Sequence, residues 1–193
     1  GLFERFPCDA IYGLHNRPGL EVGRYGIRPG AMMAGCAFFD VHIRGKGGHG
    51  ARPESTVDPV VCGAQIVTAL QSVVARNVAP ADTAGVSITG FSAGQAYNVI
   101  PERVSLRGTV RAFKVETMRL VEARMRALVQ SIATGFGATA ELDFREITIP
   151  LINTEEQTRI IADAAAALVG EAHVDRDRAP VMGSEDFSYM LAE

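Results

Sequence analysis

The sequence predicts a mixed α/β protein in which a compact α+β domain is inserted into a second domain that the chain covers only in part. Two observations predict this organisation. Between Phe38 and Ile149, strand-like and helix-like segments follow one another in the order β-α-β-β-α-β. The flanking segments contain too few elements to bury a core of their own. We therefore expect an inserted domain at 38–150 and parts of one other domain at 1–37 and 151–193.

Each element of the inserted domain has its own signal. Residues Phe38 to Arg44 alternate apolar and polar side chains, which is typical of a half-buried strand. Asp58 and Pro59 are the N-cap and first helical residue of a strongly apolar helix. The expected strands are 38–44, 85–91, 104–113 and 140–149, and the expected helices are 58–76 and 116–135. This order is that of a split βαβ, ferredoxin-like two-layer sandwich.

In the two flanking segments, the sequence predicts one strand, one helix and one turn. Residues Asp9 to His15 are expected to form a short buried strand that runs into a loop rich in proline and glycine. After Pro150, a helix capped by Asn153 or Thr154 is expected to end at Gly170. A tight turn then follows at 183–186.

Composition and charge exclude several classes of protein. The chain has 193 residues, 47% of them hydrophobic, a net charge of -3 and no basic cluster, which argues against a nucleic-acid partner. No signal peptide is visible, and no apolar run is expected to approach the ~20 residues that span a bilayer, so no membrane partner is expected. The three cysteines form no Cys-x-x-Cys pair, which favours a reducing, cytoplasmic location.

His15 is the first candidate for chemistry. It ends the predicted strand at the start of a rigid loop, and strand ends commonly carry catalytic or metal-binding side chains in α/β proteins. Two interpretations stay open: a metal ligand, or a structural histidine held by hydrogen bonds. A catalytic zinc site needs about three protein ligands, and none was found at ligand spacing from His15.

His49 is the second candidate and lies in the stretch GKGGHG. This stretch lacks the Lys-Ser/Thr pair and the immediate helix of a phosphate-binding loop. Glycines on both sides favour unusual φ values and a close approach of another surface. The imidazole could act as an acid or oxyanion donor on a protruding loop. A flexible hairpin tip with an incidental histidine is the alternative.

Two further pairs of residues are candidates for substrate contacts. If their elements adjoin, Asn98 and Arg111 could hold a substrate carboxylate between an amide and a guanidinium; otherwise they are a turn residue and an exposed strand residue. Gly183 and Ser184 lie in the tight turn, where Ser184 could simply cap a short helix.

Four stretches taken together resemble the M20 metallopeptidase superfamily, and in particular its amidohydrolase branch of hippurate and indoleacetyl-amino-acid hydrolases. In chain order they are DAIYGLHNRPGLEVGRYGIRPGAMMA, GKGGHGARPESTVDPV, YNVIPERVSLRGTVRAF and MGSEDFSYML. The resemblance covers essentially the whole chain. It implies a zinc-peptidase-like catalytic domain interrupted by a ferredoxin-like lid or dimerisation domain, and hydrolysis of N-acyl amino acids with two divalent metal ions (Zn, Mn, Ni or Co).

The resemblance also implies roles for single residues. His15 would be a metal ligand, and His49 would stabilise the tetrahedral oxyanion in its own active site or that of the partner in a homodimer. Asn98 and Arg111 would contact the substrate, and Gly183 and Ser184 would line the site.

The remaining family ligands have no counterpart in these 193 residues. A Cys-His motif, a Glu-Glu pair and the general-base glutamate are expected upstream, and a last histidine downstream. We therefore expect an incomplete chain that is inactive alone. Two other interpretations stay open: a non-catalytic dimerisation or ligand-binding module, and a dipeptidase or deacylase of the same superfamily.

Overall fold

The computed structural model describes residues 1–192 and contains both helices and strands. The helices are α1 (Leu2–Arg5), α2 (Pro59–Asn77), α3 (Val115–Gly135), α4 (Glu155–Val169) and α5 (Phe187–Met190). The strands are β1 (Tyr25–Gly26), β2 (Gly30–Met33), β3 (Gly35–Arg44), β4 (Gly48–His49), β5 (Ala84–Ser92), β6 (Val99–Ile100), β7 (Arg103–Ala112), β8 (Thr139–Thr148), β9 (Leu151–Asn153) and β10 (Val174–Asp175). Short 3-10 helices occupy Pro53–Ser55 and Glu171–His173.

The chain divides into two compact units. The inserted unit is Gly35–Ile147, and the outer unit consists of Gly1–Ala34 and the residues from Thr148 onward. The sequence placed the corresponding boundaries three residues further along, at 37/38 and 150/151.

The inserted unit is built on a four-stranded sheet with the strand order β5-β7-β3-β8. Strands β3 and β7 are antiparallel over their full length, from Gly35 opposite Ala112 to Arg44 opposite Arg103. Alternate residues of both strands point into one core, which they share with α2 and α3. The fully buried members include Phe39, Val41, Leu106, Val110, Ile66, Leu70, Val121 and Met125. The helices therefore cover one face of the sheet.

Helix α2 begins as its sequence predicts. The Asp58 carboxylate accepts hydrogen bonds from the amides of Val60 (2.8 Å) and Val61 (3.4 Å), and Pro59 opens the helix. By length and composition alone, α2 could cross a membrane, which corrects the expectation that no apolar segment is long enough. Its buried side chains, including Ile66 and Leu70, join the core of the inserted unit, which gives the apolar composition a structural reason.

The outer unit contains two small sheets. Strand β2 pairs antiparallel with β9, and β1 pairs parallel with β10. Helix α4 has Thr154 as its N-cap, which settles the choice left open with Asn153. Its C-cap is Gly170, whose φ of +88° favours a residue without Cβ.

Two expectations for the outer unit are wrong. Residues 9–15 are irregular rather than a buried strand, and Leu14 is 84% exposed. An extended segment becomes a strand only when another strand hydrogen-bonds to it, and no described residue does so here. The N-cap of α5 is Asp186, not Ser184, because the helix begins at Phe187.

Candidate functional site

His49 lies in a short antiparallel pairing of the inserted unit. Strand β4 pairs with β6, which sets Gly48 opposite Ile100 and His49 opposite Val99. The Gly50 amide donates to the carbonyl oxygen of Asn98 at 2.8 Å. The pairing therefore brings two predicted site residues, His49 and Asn98, next to each other, and both are exposed.

The glycines of this stretch are needed for close approach rather than for unusual φ values. None of Gly45, Gly47, Gly48 and Gly50 has a positive φ, which corrects that part of the expectation. A Cβ on Gly45 would overlap the Val57 carbonyl oxygen, and one on Gly48 would lie 2.7 Å from the Thr56 methyl group. Only glycine lets the Val57 backbone and the Thr56 side chain pack this closely.

The His49 ring is held by the backbone that follows it. The Ala51 amide donates to Nδ1 at 3.1 Å, and the Arg52 amide donates to the His49 carbonyl oxygen at 2.9 Å. Because Nδ1 accepts, the proton of the neutral ring lies on Nε2. The exposed ring therefore offers a hydrogen-bond donor at Nε2.

Arg111 lies on β7, opposite Cys36 on one side and Gly85 on the other. The hairpin that carries Asn98 connects to the other end of β7, at Arg103. Arg111 lies eight residue steps along the strand from Arg103, which is about 27 Å. The condition for an Asn98–Arg111 clamp was that their elements adjoin, and the two residues lie instead toward opposite ends of β7. Each remains a separate candidate for substrate contact.

His15 belongs to the outer unit and meets two oxygen atoms there. Its Nδ1 lies 2.6 Å from the carbonyl oxygen of Asn16, and its Nε2 lies 3.2 Å from Oε2 of Glu185. The His15 side chain is 53% exposed and the Glu185 side chain 24%. The structure thus brings His15 to the turn that contains Gly183 and Ser184.

Packing of two segments produces this contact. A Cβ on Gly13 would lie 3.3 Å from the Phe187 ring, so a glycine there lets the segment before His15 pack closely on the start of α5. The Phe187 amide donates to Oε1 of Glu185 at 3.4 Å, and the Ser188 amide donates to the Glu185 carbonyl oxygen at 3.3 Å. The bond to Oε1 holds the Glu185 carboxylate beside the imidazole, and the bond to the carbonyl oxygen fixes the backbone of Glu185 at the start of α5.

Gly183 and Ser184 follow a bridge between the end of β2 and residue 181. The Ala34 amide donates to the carbonyl oxygen of Gly183 at 2.9 Å, and a Cβ on Gly183 would lie 3.2 Å from the Met33 methyl group. The turn is therefore tied through its backbone to the end of β2.

The His15 imidazole and the Glu185 carboxylate are groups that bind divalent cations, but two ligands are too few for a complete site. An imidazole nitrogen and a carboxylate oxygen are ordinary ligands of zinc and manganese. Among the described residues, no group of three or more His, Cys, Asp or Glu side chains could hold a metal. The pair fits part of a coordination shell that needs further ligands.

A surface cavity of about 610 Å³ lies elsewhere, at one end of the four-stranded sheet. None of the predicted site residues lines it; its lining includes His42, Arg44, Arg103 and Glu141.

Sequence reasoning did not identify two of these groups. The motifs assign no role to Glu185, and no side-chain pattern points to the Ala51 amide. A carboxylate directly after the Gly183-Ser184 turn was the available signal for Glu185. No sequence signal marks a backbone amide as the partner of His49.

Comparison with known proteins gives consistent similarities along the whole chain. The family model described as Peptidase family M20/M25/M40 matches residues 1–193. N-acetylcysteine deacetylase of Bacillus subtilis (strain 168) is 40% identical over 180 residues, which cover 93% of this chain and 47% of that protein. Hippurate hydrolase of Campylobacter jejuni is 34% identical over 189 residues, which cover 98% of this chain and 49% of that protein.

A solved structure is also similar to this chain. A dinuclear metal binding peptidase from the M20 family of Bacillus subtilis superposes with a TM-score of 0.72 and 31% identity, covering 92% of this chain and 43% of that chain. The chain thus spans about half the length of the two sequence relatives.

Proposed function

The chain belongs to peptidase family M20/M25/M40, and we propose that it is part of a metal-dependent amidohydrolase that cleaves the amide bond of N-acyl amino acids. The observation that carries the proposal is the His15–Glu185 pair, because it places two metal-ligand types 3.2 Å apart within a family match over the whole chain. The names of the two relatives support the substrate class, since hippurate and N-acetylcysteine are both N-acyl amino acids.

The proposed cofactor is a pair of divalent metal ions (Zn, Mn, Ni or Co), as the description of the Bacillus subtilis structure supports. His15 would supply one ligand through an imidazole nitrogen. The other family ligands and the general-base glutamate would come from outside these 193 residues, so this chain alone is proposed to be inactive. When bound, such ions activate water and polarise the scissile carbonyl.

The residues of this chain would bind and orient the substrate. His49 would donate from Nε2 to the oxyanion of the tetrahedral intermediate, a role supported by the Ala51 amide on Nδ1. Asn98 and Arg111 would each contact the substrate, and an arginine suits a carboxylate because it can donate two parallel hydrogen bonds. Gly183 and Ser184 would line the site next to Glu185.

The inserted unit would serve as a ferredoxin-like lid and dimerisation domain. The sheet order β5-β7-β3-β8 and the placement of α2 and α3 on one face support the ferredoxin-like assignment. Strands β5 and β8 are sheet edges, and unpaired edges are suited to pairing with a second chain. In a homodimer, the exposed His49 and Asn98 would reach the active site of the partner subunit.

We also propose a cytoplasmic location, on the basis of the cysteines. All three cysteines of the chain are free, with Cys36 and Cys62 buried and Cys8 exposed, which fits a reducing compartment.

A deacetylase is the second candidate function. Greater identity to the N-acetylcysteine deacetylase (40%) than to the hippurate hydrolase (34%) favours a small acyl group over a benzoyl group.

The test is a panel of acetyl, benzoyl and indoleacetyl amino acids, assayed with the full-length protein with and without a chelator. We expect hydrolysis that the chelator abolishes and added divalent metal restores. Hydrolysis that survives complete metal removal would contradict the proposal. Absence of hydrolysis across the panel, from folded and metal-loaded protein, would favour the non-catalytic module.

Subunit mixing tests the partner contact. A His49→Ala protomer mixed with one that lacks the general-base glutamate should regain activity in mixed dimers. Verified mixed dimers without recovery would exclude a role of His49 in the partner's site.

A further inference from the structure

The cavity of about 610 Å³ at one end of the inserted unit's sheet has a volume typical of sites that bind small molecules, which is about 300–1,000 Å³. On β7, its lining residues Arg103 and Ser105 alternate with the buried residues Val104 and Leu106. Their side chains therefore project from the face of the sheet away from α2 and α3. All four strands contribute polar residues to the lining, among them Arg44 of β3, Ser92 of β5, Arg103 and Ser105 of β7, and Glu141 of β8.

Two guanidinium groups lie side by side in this cavity. Arg44 is directly opposite Arg103 in the antiparallel pairing of β3 and β7. In such a pair the Cβ atoms are about 4.5–5.5 Å apart, and like charges destabilise the sheet. Glu102 neutralises only Arg44, because its Oε1 lies 2.9 Å from both Nε and Nη2 of that residue. Among residues 1–192, no acidic side chain forms an ion pair with Arg103.

Glu141 is too far across the sheet to neutralise Arg103 directly. Strand β3 lies between β7 and β8, and neighbouring strands are about 4.8 Å apart, so the two backbones are about 10 Å apart. Exposed charges at that separation are largely screened at physiological ionic strength. The side of the cavity formed by β3 and β7 therefore has an excess positive charge.

Two hydroxyl groups lie next to this charge. Ser105 is two residues from Arg103 on the same face of β7, and Ser92 of β5 is directly opposite Ser105. Neither hydroxyl forms a hydrogen bond within the described part of the chain. Hydroxyl groups can donate, and a guanidinium only donates. The matching ligand is therefore a negatively charged acceptor, and the parallel N–H groups of a guanidinium fit the oxygen pair of a carboxylate or phosphate.

We propose that this cavity binds a small carboxylate or phosphate anion, held by Arg103 together with Arg44 and by the hydroxyl groups of Ser92 and Ser105. The bound anion would neutralise the like charges that the strand pairing sets opposite each other. None of the residues proposed to act in hydrolysis lines the cavity. The site is therefore additional to the proposed amide hydrolysis, and its test is independent of that function.

The test is an NMR titration of the full-length protein with ¹⁵N-labelled arginine side chains, at constant ionic strength, with inorganic phosphate and acetate as separate probes. The Nε–H signal of Arg103 is assigned by its absence from the spectrum of Arg103→Gln. We expect this signal to shift and saturate with at least one probe, and the probe that saturates it identifies the preferred group. Absence of saturation with both probes would overturn the proposal.

Arg107 provides the matched control for a site rather than general attraction to exposed arginines. It lies on the same face of β7 as Arg103 but outside the cavity lining, with its side chain over Gly90. We expect its Nε–H signal to shift little and without saturation. Equal, unsaturated shifts of the Arg103 and Arg107 signals would show an adventitious ion only and would overturn the proposal.

Substitutions test the assigned contacts, with the Kd read from the Arg44 signal. Arg103→Gln should raise the Kd of the preferred probe at least about tenfold, because it removes a charge-assisted contact. Ser105→Ala should raise it about threefold through the loss of one hydrogen bond. Arg107→Gln should leave it within about twofold of wild type. Circular dichroism verifies that each variant is folded. Equal Kd values for wild type and folded Arg103→Gln would overturn the proposal.

Glu141 allows a test in the opposite direction. Glu141→Gln removes a negative charge from the same cavity and keeps the size of the side chain. The Kd of the preferred anion should fall about twofold, as expected for the loss of one repulsive charge about 10 Å away in water. An unchanged or raised Kd would show that the anion lies outside this cavity.

Discussion

The amide of Ala51 lies 3.1 Å from Nδ1 of His49, and this hydrogen bond decides which ring nitrogen carries the proton. A backbone N–H only donates, so Nδ1 must accept and the neutral ring has its proton on Nε2. We expect ¹⁵N NMR of the histidine-labelled protein near neutral pH to give a lone-pair-type shift for His49 Nδ1 and an N–H-type shift for Nε2. The reverse pattern, or averaged shifts for the two nitrogens, would contradict the assignment.

Replacement of His49 tests the donor role in catalysis. His49→Ala removes a hydrogen bond that is proposed to form to the oxyanion in the transition state. In the full-length protein, we expect kcat to fall about 10²–10³-fold with a much smaller change in KM. His42→Ala is the control, because His42 is an exposed residue of β3 with no proposed role. A loss confined to KM would indicate a substrate-binding residue instead.

Gly45 tests the close packing of the loop that precedes His49. Gly45→Ala would place a methyl group against the Val57 carbonyl oxygen, which belongs to the backbone and cannot swing away. We expect a loss of about 1–3 kcal/mol in unfolding free energy, read from the urea midpoint by circular dichroism. Gly135→Ala is the matched control, since a Cβ there would meet nothing within 4 Å. Equal midpoints for the two variants would show that the loop adapts without cost.

The ion pair between Glu171 and Arg176 should make a pH-dependent contribution to the stability of the outer unit. The Arg176 guanidinium donates to both Glu171 oxygens, at 2.7 and 2.8 Å, and its hydrogen bonds and charge lower the pKa of Glu171 below its ordinary value of 4.5. A lowered pKa in the folded state stabilises the fold above the ordinary pKa, and this gain disappears as the pH falls through the lowered value.

We therefore expect Glu171→Gln to be less stable than wild type at pH 7. The difference should shrink as the pH falls below about 4.5 and vanish once Glu171 is protonated in both states. Urea midpoints measured across that pH range provide the test, with Glu146→Gln, an exposed position on β8, as control. A difference that is constant with pH would mean that the ion pair is not its source.

Local signals predicted much of the fold. The alternation along Phe38–Arg44 and the cap formed by Asp58 and Pro59 were sufficient, because strand periodicity and N-capping depend on residues within one turn or one strand. The buried strand predicted at 9–15 failed for the opposite reason, since a strand depends on a partner that local sequence does not reveal.

The sequence predicted which residues belong to the candidate site, but not how they are arranged in space. Motifs pointed to His15, His49, Asn98 and Arg111 one by one. In the structure, strand pairing sets His49 beside Asn98, and Arg111 lies toward the far end of β7. The Glu185 carboxylate lies beside His15. Pairing register and segment packing set those distances, and both involve residues remote in sequence.

The sequence by itself determined the order of the long helices and strands from β3 to β8, the N-cap of α2 and the residue types available for chemistry, because short-range sterics and hydrogen bonds control all three. Only the tertiary structure decided that the glycines before His49 admit neighbouring backbone and that a carboxylate faces His15. Contacts of this kind form when distant segments pack against each other to bury apolar surface, and no local pattern encodes which side chains then meet.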